Sequence, residues 1–277
     1  MQKTWLFLDV SNAAHRAFHT TRELAHQGQM TGVLFGLFRD ISSFASLFNT
    51  KHIAFFFDGG YEYRRNLYPE YKKKEWHKNL SPEEIQILQE DRKEMYAQID
   101  LFRKELLPRL GFTNILWQSG VEADDLIASA CIGLPDEAII ISTDNDLLQC
   151  ITEKIICWNP FRRLPTTLKS FQEKYNLNPV QWPTVKAIAG CSSDNIKGVY
   201  RVGEITAIKF LLDELKPHLK SYQSIIADHN NIVERLKLTT LPCPGTMKVF
   251  LKEQNPSREK WNALVKELGM TSLVGAW

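Results

Sequence analysis

The sequence predicts an α/β fold in which a central, mostly parallel sheet is flanked by helices and followed by a helical C-terminal part. Short apolar segments that indicate buried strands alternate with segments whose apolar residues recur at helical spacing, as in parallel sheets with right-handed crossovers. The strand signals stop near residue 170. Acidic residues follow several predicted strands directly, at the sheet edge where open α/β folds bind ligands. We therefore expect two domains, residues 1–170 and residues 171–277.

The strands are predicted from continuous apolar runs, which suit a sheet covered by helices on both faces. They are residues 4–10, 52–57, 112–117 and 137–142, with a weaker fifth at 155–158. Helical spacing predicts helices at residues 31–48, 122–132, 179–189 and 203–215. A further helix begins at Ser81, where a capping serine precedes a proline and two acids. It runs to about Leu110, with a kink near Pro108.

The composition is that of an ordinary globular protein, with 44% hydrophobic and 24% charged residues among 277. The formal net charge of +2 gives no indication of a partner. Five cysteines without paired spacing indicate free thiols in a reducing compartment. No apolar run approaches the ~20 residues that cross a bilayer, and no signal peptide or glycine-rich nucleotide loop is present. We expect a monomeric cytoplasmic protein without membrane contacts.

Eight acidic residues are the main functional signal, because most of them lie where a predicted strand ends or a helix begins. They are Asp9, Asp58, Glu122, Asp124, Asp125, Asp144, Asp146 and Asp194. Each of these residues alone can be explained as a helix cap or a turn residue. Those separate explanations do not account for so many acids at one edge of the sheet. Gathered carboxylates repel one another unless a cation neutralises them, and hard divalent cations prefer oxygen ligands. Two such ions can drive in-line cleavage of a phosphodiester.

A basic and aromatic segment follows the strand that precedes Asp58. It contains Arg64, Arg65, Lys72, Lys73, Lys74 and Lys78, interleaved with Tyr61, Tyr63, Tyr68, Tyr71 and Trp76. Positive charges neutralise phosphates, and aromatic faces stack on unpaired bases. A solvated loop is the alternative for any such run of charge. The position of the segment directly after Asp58 places it over the acidic cluster and favours a grip on a polyanionic substrate.

A glycine-containing turn near residues 194–211 is a weaker signal. Gly198 and Gly203 bracket a short turn that precedes a helix, with Lys197 and Arg201 beside them. Glycine permits the close approach of backbone N–H groups to phosphates, although glycine is common at helix ends in general.

These segments together resemble the 5′-nuclease, or flap endonuclease, family, which includes phage 5′-exonucleases and the 5′-nuclease domain of bacterial DNA polymerase I. The segments that carry the resemblance are LDVSN, FFFDGG, RR…YPEYKKK, GVEADD, ISTDND and SDNIKGV. The resemblance implies a PIN-like fold and hydrolysis of DNA that has a 5′ single-stranded end or flap joined to duplex. It implies two Mg²⁺ or Mn²⁺ ions as cofactors and a part in DNA replication and repair.

The resemblance also implies roles for single residues. The first metal site would comprise Asp9, Asp58, Glu122, Asp124 and Asp125, and the second Asp144, Asp146 and Asp194. The catalytic residues would be Asp125 and Asp144, together with Arg16 and Lys72. These two cations would stabilise the scissile phosphate. Tyr71 would stack on the displaced base. Nucleic-acid contacts are expected from Arg64, Arg65, Tyr71, Lys72, Lys73, Lys74, Lys197, Gly198, Arg201 and Gly203. Residues 61–104 would form an arch, and residues 190–211 a helix–three-turn–helix hairpin with a K⁺ ion.

The sequence departs from the family pattern at three positions. Where the family writes GDxxDN, this chain has Cys191 in place of the first acid, and a neutral thiol is a poor Mg²⁺ ligand. We therefore expect the second ion to bind more weakly. Arg201 replaces a usual glycine and Ile205 a usual lysine in the hairpin. Two alternatives stay open: a branched-DNA-binding protein with weakened catalysis, and a nuclease of the same fold that removes RNA primers.

Overall fold

A six-stranded sheet forms the centre of the computed structural model, which describes residues 3–73 and 80–277. The strands, with those of two small additional ladders, are β1 (Thr4–Asp9), β2 (Ala25–His26), β3 (Gln29–Met30), β4 (Ile53–Phe56), β5 (Ile115–Leu116), β6 (Glu137–Ile141), β7 (Ile155–Asn159), β8 (Leu164–Thr166), β9 (Gly190–Cys191) and β10 (Ile196–Lys197). The order in the main sheet is β5-β4-β1-β6-β7-β8. All neighbouring pairs are parallel except β7 and β8, so the predicted mostly parallel sheet is confirmed.

Helices cover both faces of the sheet, as the continuous apolar strands predict. They are α1 (Val10–Thr21), α2 (Gly32–Leu47), α3 (Glu62–Leu67), α4 (Pro82–Leu101), α5 (Leu107–Leu110), α6 (Ala123–Cys131), α7 (Leu168–Tyr175), α8 (Trp182–Ala189), α9 (Glu204–Leu211), α10 (Lys220–Ala227), α11 (His229–Thr239) and α12 (Arg258–Glu267). Side chains of a strand alternate between the two faces. Phe7 of β1 accordingly belongs to the core with α6 and α8, whereas Leu6 and Leu8 belong to the core with α1, α2 and α4.

The helix predicted to begin at Ser81 is confirmed. The Ser81 hydroxyl accepts the backbone N–H of Glu84 at 3.2 Å, and the Glu84 carboxylate accepts the backbone N–H of Ser81 at 2.7 Å. Helical backbone continues to Leu110, but the residues between α4 and α5 widen into a π-helical turn (Phe102–Leu106). The irregular turn lies just before Pro108 because proline supplies no N–H to the preceding turn.

Several elements differ from the expected ones, and two of these differences bear on the site. Helix α1 follows β1 without a loop, since the Asp9 carboxylate accepts the backbone N–H of Asn12 and caps the helix. The expectation that strands stop near residue 170 is wrong in detail, because β9 and β10 form a short antiparallel ladder in the predicted hairpin. Glycine at position 190, with φ of +81°, permits the turn that joins α8 to this ladder.

The residues that follow position 170 contribute to both faces of the sheet. Helices α7 to α11 extend the core on the α6 face. Helix α12 returns to the opposite face, where Trp261 packs edge-on against Phe38 of α2 and stacks on Trp277 with ring centroids 5.4 Å apart. Within the described part of the chain, no helix has both the length and the apolar character needed to span a bilayer.

Candidate metal-dependent active site

Three carboxylates meet at the C-terminal edge of the sheet. Strands β4, β1 and β6 are adjacent and parallel, Asp9 ends β1, and Asp58 and Asp144 follow the ends of β4 and β6. Burial and the nearby charge of Asp58 raise the pKa of Asp9 from 3.8 to about 7, with a further contribution from Asp144. Because the three strands are adjacent and parallel, their carboxyl ends bring these acids to one edge of the sheet. Their predicted convergence is therefore observed.

Ser142 connects the ends of β1 and β6. Its hydroxyl donates to Oδ2 of Asp9 at 2.8 Å and accepts the backbone N–H of Asp144 at 3.1 Å. Oδ1 of Asp9 accepts the backbone N–H of Asn12 at 3.0 Å. Ser142 was not predicted, although its position between a buried strand and two acids was a usable signal.

A chain of polar contacts fixes Arg16 at the border of this edge. Asn12 donates to the Thr143 hydroxyl at 2.7 Å and accepts from Nη1 of Arg16 at 2.7 Å. Nη2 of Arg16 donates to Oδ2 of Asp40, also at 2.7 Å. Burial raises the pKa of Asp40 although Arg16 opposes the change. Arg16 thus lies beside the strand ends as expected, and the two residues that hold it there, Asn12 and Asp40, were not predicted.

Helix α6 brings a second set of acids to the same edge. Oδ1 of Asp58 accepts the backbone N–H of Ala123 at 2.8 Å, so this exposed aspartate lies at the N-terminus of α6. Carboxylate oxygens of Glu122, Asp124 and Asp125 lie within 4.8 Å of one another. Burial, followed by the charges of Glu122 and Asp125, raises the pKa of Asp124 well above its ordinary range. Asp124 is therefore a carboxylate whose charge a bound cation would stabilise.

Arg64 occupies a different place from the one expected. It was predicted to contact nucleic acid, but its side chain is 2% exposed and donates from Nη1 and Nη2 to both oxygens of Asp125, at 2.5 and 2.9 Å. Nη1 also donates to Glu122 at 2.8 Å, and Nε donates to the carbonyl of Leu238 at 2.8 Å. The backbone N–H of Cys243 supplies a further donor to Asp125 at 2.7 Å. Both oxygens of Asp125 are thus bound by protein donors, an arrangement that differs from the metal-ligating and catalytic role expected.

Tyr71 and Lys72 lie inside the acidic cluster. Tyr71 was expected to stack on a base, but it is 2% exposed and its hydroxyl donates to Oε2 of Glu122 at 2.9 Å. Nζ of Lys72 pairs with Glu122 and lies 3.6 Å from Oδ1 of Asp194. Burial alone would lower the pKa of Lys72, but Glu122 and Asp194 raise it above its ordinary value. Lys72 is therefore a fixed cation between the two groups of acids.

A second group of possible ligands lies between α8 and the short ladder. Atoms of Asp146, Cys191 and Asp194 lie within 4.8 Å of one another, and the Cys191 thiol donates to Oδ2 of Asp194 at 3.1 Å. Nζ of Lys186 lies 3.2 Å from Oδ1 of Asp146 and 3.7 Å from Glu204. Burial and then Asp144 raise the pKa of Asp146 to about 6. Lys186 was not predicted, because its only signal was a single lysine in an apolar helix.

The hairpin places its cations at the surface. Lys197 and Arg201 are exposed, as is Gly203 at the start of α9. Gly198 has a packing role instead: a Cβ atom there would lie 2.2 Å from the carbonyl of Ala189. The glycine therefore lets the two sides of the turn approach each other.

The predicted arch region is described except for residues 74–79, so the expectation for Lys74 lies outside the described residues. Arg65 and Lys73 are exposed, and Arg65 lies 4.6 Å over the ring of Tyr61. A cavity of about 300 Å³ separates Asp58 from α4. Its lining includes Lys93, Tyr96, Arg103 and Trp117.

Carboxylates that follow three adjacent strands, with fixed cations beside them, are an arrangement that could hold the divalent ions of a nuclease of the α/β class. Residues 4–176 match the family model described as 5′-3′ exonuclease, N-terminal resolvase-like domain. The chain therefore belongs to the 5′-3′ exonuclease family.

Relatives and solved structures agree with this assignment. A 5′-3′ exonuclease of Buchnera aphidicola subsp. Schizaphis graminum is 29% identical over 260 residues, which cover 92% of this chain and 82% of the relative. The thermostable DNA polymerase I of Thermus aquaticus is 28% identical over 286 residues, which cover 97% of this chain and 32% of the polymerase. The zinc-bound T5 5′-exonuclease shares the fold with a TM-score of 0.71 at 23% identity, covering 87% of this chain and 90% of that one.

Proposed function

We propose that this protein hydrolyses phosphodiester bonds in DNA that carries a 5′ single-stranded end or flap, with two divalent ions, Mg²⁺ or Mn²⁺, as cofactors. The observation that carries the proposal is the meeting of Asp9, Asp58 and Asp144 at the ends of three adjacent strands. Family membership supports the same reaction. A structural neighbour, the bacteriophage T5 flap endonuclease, was solved in a pseudo-enzyme–product complex with DNA and metal ions.

The residues at the sheet edge fit a hard divalent cation. Asp9, Asp58, Asp124 and Asp144 offer only oxygen atoms, and burial raises the pKa of Asp9 and Asp124 in the absence of a cation. Divalent ions bound there would polarise the phosphate and lower the pKa of a water molecule. The second group does not fit Mg²⁺ equally well, because Cys191 contributes a thiol where a hard cation requires oxygen.

The cations of the chain would position the phosphate. Lys72 is held between Glu122 and Asp194, and Arg16 is held by Asn12 and Asp40, so neither side chain has to be ordered when the substrate arrives. Positive groups fixed in advance stabilise negative charge that develops in the transition state. Lys72 and Arg16 are therefore the residues that we assign to the scissile phosphate.

Surface groups support a path for the substrate. The cavity beside Asp58 is lined by Tyr96 and Trp117, which are 56% and 42% exposed, and by Lys93. Aromatic faces and cations together suit unpaired nucleotides. Lys197 and Arg201 of the hairpin would contact the duplex backbone. We assign the arch to about residues 61–104 and the duplex-binding part to residues 171–277.

The test is cleavage of a 5′-labelled DNA flap in Mg²⁺ or Mn²⁺, compared with a single strand, a blunt duplex and an RNA-primed duplex. Asp144→Asn should abolish cleavage because it removes a carboxylate from the sheet edge, whereas the exposed control Glu153→Gln should cleave normally. Full cleavage by Asp144→Asn would refute the assignment. A potassium dependence of duplex binding would support the predicted K⁺ at the hairpin.

Two specific observations favour a branched-DNA-binding protein with weakened catalysis as the second candidate. Arg64 neutralises Glu122 and Asp125, and Cys191 removes an acid from the second group. Binding of the flap without cleavage in either metal would support this candidate, and preferential cleavage of the RNA-primed duplex would identify a primer-removing nuclease. The proposal also includes that the protein is monomeric and lies in the cytoplasm. The nucleic-acid substrate and the five free cysteines, which suit a reducing compartment, support the cytoplasmic location.

A further inference from the structure

We propose that the β7–β8 turn, residues 160–163, is a further DNA contact, in which Phe161 packs against the duplex and Arg162 and Arg163 bind its phosphates. The inference rests on the proposed function, because it takes DNA to lie at the acidic edge of the sheet. It adds a contact from the α/β part of the chain to the contacts assigned to the hairpin.

The β7–β8 turn lies at the edge of the sheet that carries the acids. Strands β6 and β7 are adjacent and parallel, and Ile141 pairs with Trp158. The backbone N–H of Ser142 donates to the carbonyl of Trp158 at 3.3 Å. Asp144 and Phe161 follow the two paired residues by the same number of positions. The turn therefore begins beside the segment that carries Asp144.

Three consecutive side chains of the turn face solvent. Phe161 is 85% exposed, the largest value among the exposed large hydrophobic residues of the described chain. Arg162 and Arg163 are also exposed, and within residues 3–73 and 80–277 neither guanidinium pairs with a carboxylate. Arg16 and Arg64, in contrast, are both held by acids. A single exposed apolar residue is common, but an aromatic ring beside two unpaired cations suits a polyanion that also has apolar surface.

Hydrogen bonds within the β7–β8 turn hold its backbone. Oδ1 of Asn159 accepts the backbone N–H of Phe161 at 3.0 Å and that of Arg162 at 2.9 Å. The backbone N–H of Arg163 donates to the carbonyl of Asn159 at 2.8 Å. The backbone that carries the three side chains therefore does not have to be ordered when DNA binds, which lowers the entropic cost of the contact.

The order of the strands decides which part of the DNA the turn would meet. The strand ends with the acids, those of β4, β1 and β6, lie between the cavity beside Asp58 and β7. When unpaired nucleotides occupy that cavity, the paired part of the substrate extends from the acids in the opposite direction, towards β7. Adjacent strands are about 4.8 Å apart, so β7 lies about 10 Å from β1, less than the width of about 12 Å of one major groove. The turn therefore faces the duplex.

The test is the affinity of the full chain for a 5′-flap DNA in EDTA at several KCl concentrations, measured by fluorescence anisotropy. Phe161→Ala should weaken binding about tenfold at each KCl concentration, because it removes an apolar contact. The double variant Arg162→Gln/Arg163→Gln should reduce the slope of the logarithm of affinity against the logarithm of KCl concentration by about 1.8, because each lost phosphate contact contributes about 0.9.

Matched control variants lie away from the acids. Phe250 is 76% exposed, and residues beside it hydrogen-bond to Ser129, in the second half of α6, and to Asn114, which precedes β5. Lys154, which precedes β7, and Lys252, whose backbone N–H donates to Asn114, are exposed at the opposite edge of the sheet. Phe250→Ala and the double variant Lys154→Gln/Lys252→Gln should keep the affinity and the salt dependence of the wild type.

Wild-type affinity in Phe161→Ala, or an unchanged salt dependence in the arginine double variant, would overturn the inference. An equal loss of affinity for a single strand and for the flap would also overturn it, because the turn is assigned to the duplex. Each variant should keep the thermal unfolding midpoint of the wild type, because the replaced side chains are exposed. A wild type that binds the flap without cleaving it would refute the nuclease proposal alone, so the two failures are distinguishable.

Discussion

Replacing Asp9 by asparagine should stabilise the metal-free protein at neutral and alkaline pH. The Asp9 side chain is buried and faces Asp58 and Asp144, so its ionised form opposes folding. An amide removes the charge and keeps the shape. Its oxygen can still accept the backbone N–H of Asn12, and its Nδ2 can donate to the Ser142 hydroxyl.

The magnitude follows from the pKa of Asp9, which rises from 3.8 to about 7 on folding. Because the folded state retains the proton up to a higher pH, the stability that Asp9 contributes falls as the pH rises from about 4 to about 7. At about 1.4 kcal/mol for each pKa unit, the cost of ionised Asp9 at pH 8 is about 4 kcal/mol. At pH 4 the cost is below about 1 kcal/mol, since the side chain is largely protonated in the folded state.

The assay is urea denaturation of the wild type and Asp9→Asn in EDTA at pH 8 and at pH 4, with Glu153→Gln as an exposed control. We expect a gain of several kcal/mol in the unfolding free energy at pH 8 and little change at pH 4. Adding Mg²⁺ at pH 8 should stabilise the wild type more than the variant, because the ion binds the ionised carboxylate. An equal gain at both pH values, or none at pH 8, would refute the electrostatic explanation.

Three further changes test other parts of the site. Arg64→Met should lower the unfolding free energy by about 3–5 kcal/mol in urea denaturation, because it leaves the buried carboxylate of Asp125 without a cation, whereas the exposed Arg65→Met should change it little; equal effects of both would contradict this reasoning. Lys72→Ala should reduce the single-turnover cleavage rate about 10²–10³-fold, while the affinity for the flap in EDTA should change far less. A loss of affinity without a loss of cleavage rate would argue against a contact with the scissile phosphate. Cys191→Asp should lower the Mg²⁺ concentration for half-maximal cleavage about tenfold, because it adds a hard, charged ligand; an unchanged requirement would show that position 191 does not limit metal binding.

The prediction of the site was most accurate for residues whose place in the fold follows from the order of the strands. Asp9, Asp58 and Asp144 follow strands of one parallel sheet, so the placement of the strands alone brings them together. The burial of Arg64 could not be predicted in this way, since this residue lies in a run of cations and its carbonyl partner is 174 positions away. The packing of α11 against α3 and the contacts with the start of α6 together bury this arginine.

Two other differences have a similar cause. Lys186 carries no motif, and its pairing with Asp146 depends on how α8 packs against the turn that follows β6. The burial of Tyr71 follows from the contact between its loop and the hairpin, where the backbone N–H of Lys72 donates to the carbonyl of Asp194 at 2.9 Å. The fold class depended on periodicity and was accessible from the sequence, whereas these side-chain partners depended on tertiary contacts.

The match to the family model ends at residue 176, yet the ion pair of Arg64 and Asp125 takes two of its partners from farther along the chain, the carbonyl of Leu238 and the amide of Cys243. A fragment that ends at residue 176 would lack the acceptor for Nε of Arg64 and one donor to Asp125. Both residues lie beside the acids of the candidate site. A minimal catalytic core engineered from this chain therefore has to extend at least through residue 243.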